Sequence, residues 1–175
     1  MTAPADSADE AAELAERVAG ALRRLTGTVA AAESVTGGQI ACRLSAAGGA
    51  SDWFRGGLVA YSEYAKFSVL GVDPGPVITR ACAEQMAVGV RKLLSAEYAV
   101  STTGAGGPGP EEGQPAGTVF IAVASPAGCQ IRDYRFEGDP EAIVRDATVQ
   151  ALRDLATVTS VNGPRRPTTE GRAHQ

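Results

Sequence analysis

TVAAAESVTGG (residues 28–38) sets a short apolar run directly against Glu33-Ser34, then Thr36-Gly37-Gly38, then the helical pattern of residues 37–46, in which Ile40, Ala41 and Leu44 share a face. A buried strand that passes through a polar turn into a helix is the repeating unit of an α/β fold. Working outward, Leu14, Val18, Leu22 and Leu25 predict an amphipathic helix after the cap candidates Asp6 and Ser7. On the other side, GGASDWF reads as a loop with Asp52 as a cap, GGLVAYS (56–62) as a strand, and EYAKFSVLG as a short helix closed by Gly71. Cys82, Met86, Val90 and Leu93 mark a helix over 80–96, and YAVSTTG a strand that runs into the Gly/Pro-rich loop 104–117. TVFIAVAS and CQIRDYRFE form a hairpin across SPAG, and a helix over 140–157 starts with Asp139 as cap and Pro140 in its first turn.

The order α-β-α-β-α-α-β-β-β-α predicts an α/β protein: a three-layer α/β/α sandwich on a mixed, mostly parallel sheet of about five strands. The expected organisation is a flexible N-terminus (1–10), one domain (11–157) and a disordered, polar and Pro-rich tail (158–175), with no internal repeat. A content of 44% hydrophobic and 21% charged residues suits a folded domain. The net charge of −4 and scattered basic residues argue against nucleic-acid binding. No apolar run reaches the ~20 residues of a membrane span, and the acidic N-terminus does not read as a signal peptide. Cys42, Cys82 and Cys129, an odd number without CxxC spacing, read as small buried thiols of a cytoplasmic protein.

His174 is the sole histidine and lies in the tail, so a Ser-His-Asp or Cys-His site has no base here, and a general base would be Lys, Tyr or a carboxylate. Three strand ends carry polar or glycine-rich sequence: 33–38, Tyr61-Ser62 and Thr102-Thr103-Gly104. In open α/β sheets ligands collect at such carboxyl ends. Ser34 there is a helix cap, a phosphate cradle or a nucleophile, with Gly37 and Gly38 letting a ligand approach the backbone. Lys66, among the apolar Ala65, Phe67 and Val69, is a snorkelling surface lysine or a base of lowered pKa that would activate a serine. Thr103-Gly104 is a strand end or a donor to the same ligand, and Arg145 faces phosphate or solvent.

With AESVTGG (32–38), WFRGGLVAYSEYAKFSVLGV (53–72), MAVGVRKL (86–93), STTGAGGP (101–108), PAGTVFIAV (115–123) and FEGDPEAIVRDATVQALRDL (136–155) in this order, the chain resembles the CinA C-terminal domain family. The resemblance implies a metal-independent amidohydrolase without cofactor. Such an enzyme deamidates nicotinamide mononucleotide (NMN) to nicotinate mononucleotide and ammonia in pyridine-nucleotide salvage. It implies Ser34 as nucleophile, Lys66 as base, and Tyr61 and Thr103 in support. The strand ends themselves add Glu33, Thr36, Gly37, Gly38 and Gly104 as candidates around substrate or phosphate, and Arg145 is a candidate if α5 turns it inward. A nucleotide substrate is the expected partner, with neither nucleic acid nor membrane. A homo-oligomer is also expected, using WFRGGLVAY in part. The sequence departs from the family pattern at Val35, at Gly138-Asp139-Pro140, where an arginine is usual, and at Gln114-Pro115-Ala116-Gly117; Glu111-Glu112 makes the glycine loop acidic. Longer family members have an N-terminal domain, expected to be absent here. The competing expectation is a non-catalytic nucleotide-binding domain of the same fold; a competence- or DNA-damage-associated factor would need a basic face.

Overall fold

The computed structural model describes residues 5–161. Helix α1 (Ala5–Leu25) leads into strand β1 (Val29–Glu33), helix α2 (Gln39–Ala46), the short helix α3 (Ala50–Trp53) and strand β2 (Phe54–Val59). A π-helical turn (Ala65–Val69) and helix α4 (Arg80–Leu93) follow, then β3 (Tyr98–Gly104), β4 (Thr118–Ser125), β5 (Gly128–Arg135) and helix α5 (Pro140–Val161).

The sheet order is β2-β1-β3-β4-β5, parallel across β2-β1-β3 and antiparallel across β3-β4-β5. Strand alternation separates the two faces. Val29, Ala31, Val100, Ile121 and Val123 pack with α1, α2 and α5. Ala30, Ala32, Ala99, Ala122 and Ala124 pack with Ala83, Met86, Ala87 and Val90 of α4. Small side chains on that second face let α4 lie close to the sheet. The three-layer α/β/α sandwich read from the sequence is the observed architecture, with four strands running one way and β4 the other.

Several local readings shift. Residues 5–10 are helical, so Asp6 and Ser7 lie inside α1 rather than capping it; residues 1–4 fall outside the described range. Asp52 sits within α3, because a single helical turn follows Gly49 in place of an open loop. Strand β2 starts and ends earlier than 56–62, and its pairing with β1 shifts register between Val29 and Ala30. α5 continues four residues past 157, with Thr159 donating to the Leu155 carbonyl at 2.9 Å; the remaining tail, 162–175, lies outside the described residues. Cys82 is buried, Cys129 is half-buried and Cys42 is exposed, so the buried-thiol reading holds for Cys82 alone. Among the described residues no helix is long and apolar enough to cross a membrane.

The β1–α2 turn is organised by one carboxylate. Glu33, fully buried, accepts from Thr36 Oγ1 (2.6 Å), Gly38 N (3.1 Å) and Ile40 N (3.0 Å) on one oxygen, and from Ala41 N (2.8 Å) on the other. Gly38 makes this possible: its φ of 101° is a left-handed conformation that turns the chain into α2. Thr36 Oγ1, whose proton goes to Glu33, accepts in turn from Thr102 Oγ1 at 2.7 Å, which ties the turn to β3. Beside it Ser34 N donates to the Thr102 carbonyl at 3.0 Å and Ala60 N to the Glu33 carbonyl at 2.7 Å. The carboxyl ends of β1, β2 and β3 are thereby locked together. Glu33→Gln puts an amide NH₂ against backbone donors and removes the charge at the helix N-terminus, and should cost about 2–3 kcal/mol in urea unfolding. An unchanged midpoint would show that the carboxylate is not what holds the turn.

Candidate active site

Beyond those strand ends lies a cavity of about 280 Å³. Ser34 and Val35 come to it from the end of β1, Tyr61, Glu63 and Lys66 from the segment after β2, and Thr103 and Gly104 from the end of β3. Val77 and Ile78 precede α4. Gly106, Gly107, Glu111 and Glu112 belong to the loop after β3, and Pro140 and Val144 to the first turns of α5. This is the crevice at which the chain order switches sides of β1, running to β2 and then back to β3.

Ser34 is 8% exposed, and its Oγ has no hydrogen-bond partner among the described residues. The turn that carries it is rigid, since Gly37 N donates to the Ser34 carbonyl at 3.1 Å. Lys66 is 2% exposed. It owes its inward position to the π-helical turn, in which Leu70 N reaches the Ala65 carbonyl (3.2 Å) and Lys66 N the Ser62 carbonyl (3.2 Å). Such wider turns occur often at functional sites. Lys66 Nζ donates to the Tyr61 carbonyl at 3.2 Å. Burial lowers its pKa below the ordinary lysine value, against the opposing pull of the Glu111, Glu112 and Glu63 carboxylates. Beneath it the Cys82 thiol is pushed up to about 11 by burial, so it stays a neutral thiol at neutral pH.

The structure brings five of the sequence-derived candidates to this cavity: Ser34, Tyr61, Lys66, Thr103 and Gly104. Two of these contribute differently from expectation. Tyr61 holds Lys66 through its backbone carbonyl, while its ring is 74% exposed at the rim. Thr103, buried, donates its hydroxyl proton to the Val77 carbonyl at 2.7 Å, so it fixes the cavity wall and has no proton left for a ligand. Gly104 is a glycine because a Cβ there would stand 2.5 Å from the Thr118 carbonyl oxygen of β4.

The other five candidates are not part of the wall. Glu33, Thr36 and Gly38 are committed to one another and to the start of α2, and Gly37 N is taken by Ser34. The expected phosphate cradle is therefore filled by the chain's own carboxylate. Arg145 points to a neighbouring groove with Arg43, Gln39 and Thr148, and pairs with Asp146 at 3.0 Å. That groove shares Pro140 and Val144 with the cavity, but Arg145 does not line the cavity itself.

Residues for which the sequence suggested no structural part complete the wall, Glu112 among them, whose charge alone was legible. Glu112 accepts from Val77 N (2.9 Å) and Ile78 N (2.8 Å), pinning the loop after β3 to the approach of α4. Glu112 and Gly113 both have positive φ, 49° and 74°, and the tight turn closes with Glu111 N donating to the Gln114 carbonyl at 2.9 Å. The N–H groups of Val35, Gly106 and Gly107 have no protein partner among the described residues, and all three residues line the cavity. The length and glycine content of the loop were the available signal for Gly106 and Gly107; nothing in VDPGPV marked Val77. Among the described residues no group of three or more His, Cys, Asp or Glu is placed to hold a metal ion. A buried lysine of lowered pKa and an unbonded serine hydroxyl on one cavity are the elements of nucleophilic acyl chemistry.

Comparison with known proteins agrees with this architecture. The family model of the CinA C-terminal domain matches residues 11–159. The nicotinamide-nucleotide amidohydrolase PncC of Escherichia coli is 39% identical over 153 residues, 83% of this chain and 93% of that protein. A CinA-like protein of Frankia casuarinae is 44% identical over 140 residues, 77% of this chain, but only 32% of that longer protein is matched. A competence-damaged protein (CinA) superfamily structure from Klebsiella pneumoniae superposes with a TM-score of 0.82 at 34% identity, over 86% of this chain and 98% of that one. The competence/damage-inducible protein of Agrobacterium tumefaciens gives 0.81 at 31% identity, over 85% and 95%. From the ordered motifs to the strand-end cavity, the observations converge: this chain belongs to the CinA C-terminal domain family.

Proposed function

We propose that the protein is an amidohydrolase that deamidates NMN or a related nicotinamide nucleotide to the nicotinate form and ammonia, in pyridine-nucleotide salvage, with Ser34 and Lys66 as its catalytic pair. The observation that carries the reading is the meeting of an unbonded Ser34 hydroxyl and a buried, pKa-lowered Lys66 on the wall of one cavity. Similarity to PncC supplies the substrate class.

In this mechanism Ser34 Oγ attacks the carboxamide carbon while neutral Lys66 Nζ takes its proton. The Tyr61 carbonyl, which already accepts from Nζ, holds the lysine in place as it becomes an ammonium. The tetrahedral oxyanion needs donors, and the free N–H groups of Val35, Gly106 and Gly107 are the available ones. One good donor is worth about 3 kcal/mol of barrier. Collapse expels ammonia, which carries away the proton returned by Lys66. Water, deprotonated by Lys66, then attacks the acyl-serine, and Ser34 recovers its proton as the nicotinate product leaves. The chemistry calls on no metal.

Ammonia and nicotinate mononucleotide followed with purified protein test this directly. The wild type should turn over in EDTA, and Ser34→Ala and Lys66→Ala should each lose about 10³-fold or more in kcat. Lys66→Arg should stay inactive, since a guanidinium keeps its proton. Turnover that survives Ser34→Ala would exclude the pair; a ligand-induced rise in Tm without ammonia would favour a non-catalytic nucleotide-binding domain.

The pH dependence has a definite sign. The base must be neutral, so kcat/KM should rise with pH and be lost as pH falls through the Lys66 pKa. Burial places that limb below the ordinary lysine range. A limb at the ordinary lysine position would contradict a desolvated base.

A further inference from the structure

A groove of about 460 Å³ adjoins the cavity, and Pro140 and Val144 line both. Gln39 and Arg43 come to it from α2, and Arg145 and Thr148 from α5. Arg43 is half-buried, yet its guanidinium has neither an ion pair nor a hydrogen bond among the described residues. Arg145, also half-buried, bonds Asp146 through Nε alone, which leaves both of its terminal amino groups unbonded among the described residues. Such a pair between sequence neighbours near the surface is weak, and an incoming dianion can outcompete it. The one carboxylate on the groove wall among the described residues is that of Glu141. Two cations therefore face one anion.

On the cavity side of Pro140 and Val144 the sign reverses. The charged groups there are Lys66, Glu63, Glu111 and Glu112, and Lys66 is neutral in its proposed role. A pyridinium nucleotide has the matching polarity: a cationic ring beside the carboxamide, and at its other end a phosphomonoester with roughly two negative charges. Helix N-termini near Ser34 leave no place for that phosphate. The start of α2 is filled by the Glu33 carboxylate, and the start of α5 is capped by Asp139, which accepts from Ala142 N at 2.8 Å. The N–H groups of Val35, Gly106 and Gly107 are open, but they share the cavity with Ser34, and a phosphate there would take the donors that the oxyanion needs.

We infer that the groove is the phosphate subsite of this enzyme, and that Arg43 and Arg145 are the residues by which it selects a nucleotide over the corresponding nucleoside. The inference rests on the deamidase reading. With the carboxamide at Ser34, the ribose crosses Pro140 and Val144 and the 5′-phosphate reaches the two guanidinium groups. Arginine suits this task, because its planar fork of donors matches phosphate oxygens in pairs. The Gln39 amide, which has no side-chain partner among the described residues, is a further donor on the same wall. Glu141 opposes the phosphate, and the acidic cavity draws the pyridinium end the other way, so charge fixes the orientation of the substrate as well as its class.

The test compares NMN with nicotinamide riboside in wild type, Arg43→Gln, Arg145→Gln and Glu141→Gln proteins. The wild type should favour NMN in kcat/KM. Each arginine substitution should lower the NMN-to-riboside ratio by about 5–10-fold, and Glu141→Gln should raise it about 2-fold. A substitution that merely loosened the fold would lower both substrates alike and leave the ratio unmoved. The Kd ratio of the same two ligands, read by calorimetry on Ser34→Ala protein with and without each arginine, measures the preference without turnover. If neither compound yields ammonia while that Kd ratio favours NMN and falls with the arginines, the hydrolase reading fails and the phosphate subsite stands. A ratio that neither arginine moves would overturn the inference and leave the phosphate to the N–H groups of Val35, Gly106 and Gly107. A wild-type preference for the riboside, or binding of neither ligand, would overturn it as well.

Discussion

The buried carboxylate of Glu33 is the constraint on which this site depends. A charge so deep in a sheet is tolerated only when its lone pairs are filled, and here four donors from the turn and the first residues of α2 fill them. The arrangement does more than start a helix. By holding Thr36, and through it Thr102, it sets the end of β1 against the end of β3. Ser34 sits on the turn between, with its backbone bonded on both sides and its hydroxyl unbonded. Rigid backbone under a free nucleophile is what preorganised acyl chemistry requires.

A second buried group, Lys66, supplies the complementary property. Desolvation alone would leave a neutral amine of low proton affinity; three glutamates around the cavity oppose that shift. The same carboxylates therefore act twice. They oppose the loss of proton affinity that burial imposes on Lys66, the proposed base, and they give the cleft a sign. The loop that brings Glu111 and Glu112 is not loosely draped, because the Glu112 carboxylate holds two backbone N–H groups ahead of α4 and Thr103 holds the carbonyl between them. The fold and the proposed base share one small set of polar contacts.

Much of this was legible in the sequence. Apolar runs of strand length, helical spacing of Leu and Val, and the Asp139-Pro140 start of α5 fix the three-layer fold, because periodicity reports which face is buried. The three polar strand ends named the location of the cavity, and the missing histidine directed attention to Lys66. The cradle at Thr36-Gly37-Gly38 was misread for a physical reason: a helix N-terminus after glycines attracts any anion, and the sequence does not say that the preceding Glu33 folds back to fill it. Likewise the π-helical turn that buries Lys66, the backbone role of Tyr61 and the pinning of Val77 depend on tertiary distances that no local pattern encodes. Arg145 lines the groove next to the cavity, which shares Pro140 and Val144 with it, a difference set by how α5 docks.

The central claim is that Ser34 becomes covalently acylated. Its most direct measurement is rapid acid quenching during turnover of nicotinamide riboside or its 5′-phosphate, followed by mass spectrometry of the peptide that contains Ser34. The account predicts a transient adduct on Ser34 equal to the substrate less ammonia, absent from Lys66→Ala protein. Full turnover with Ser34 unmodified at every quench time, and oxygen from labelled water entering product in a single step without any acyl-enzyme, would contradict it.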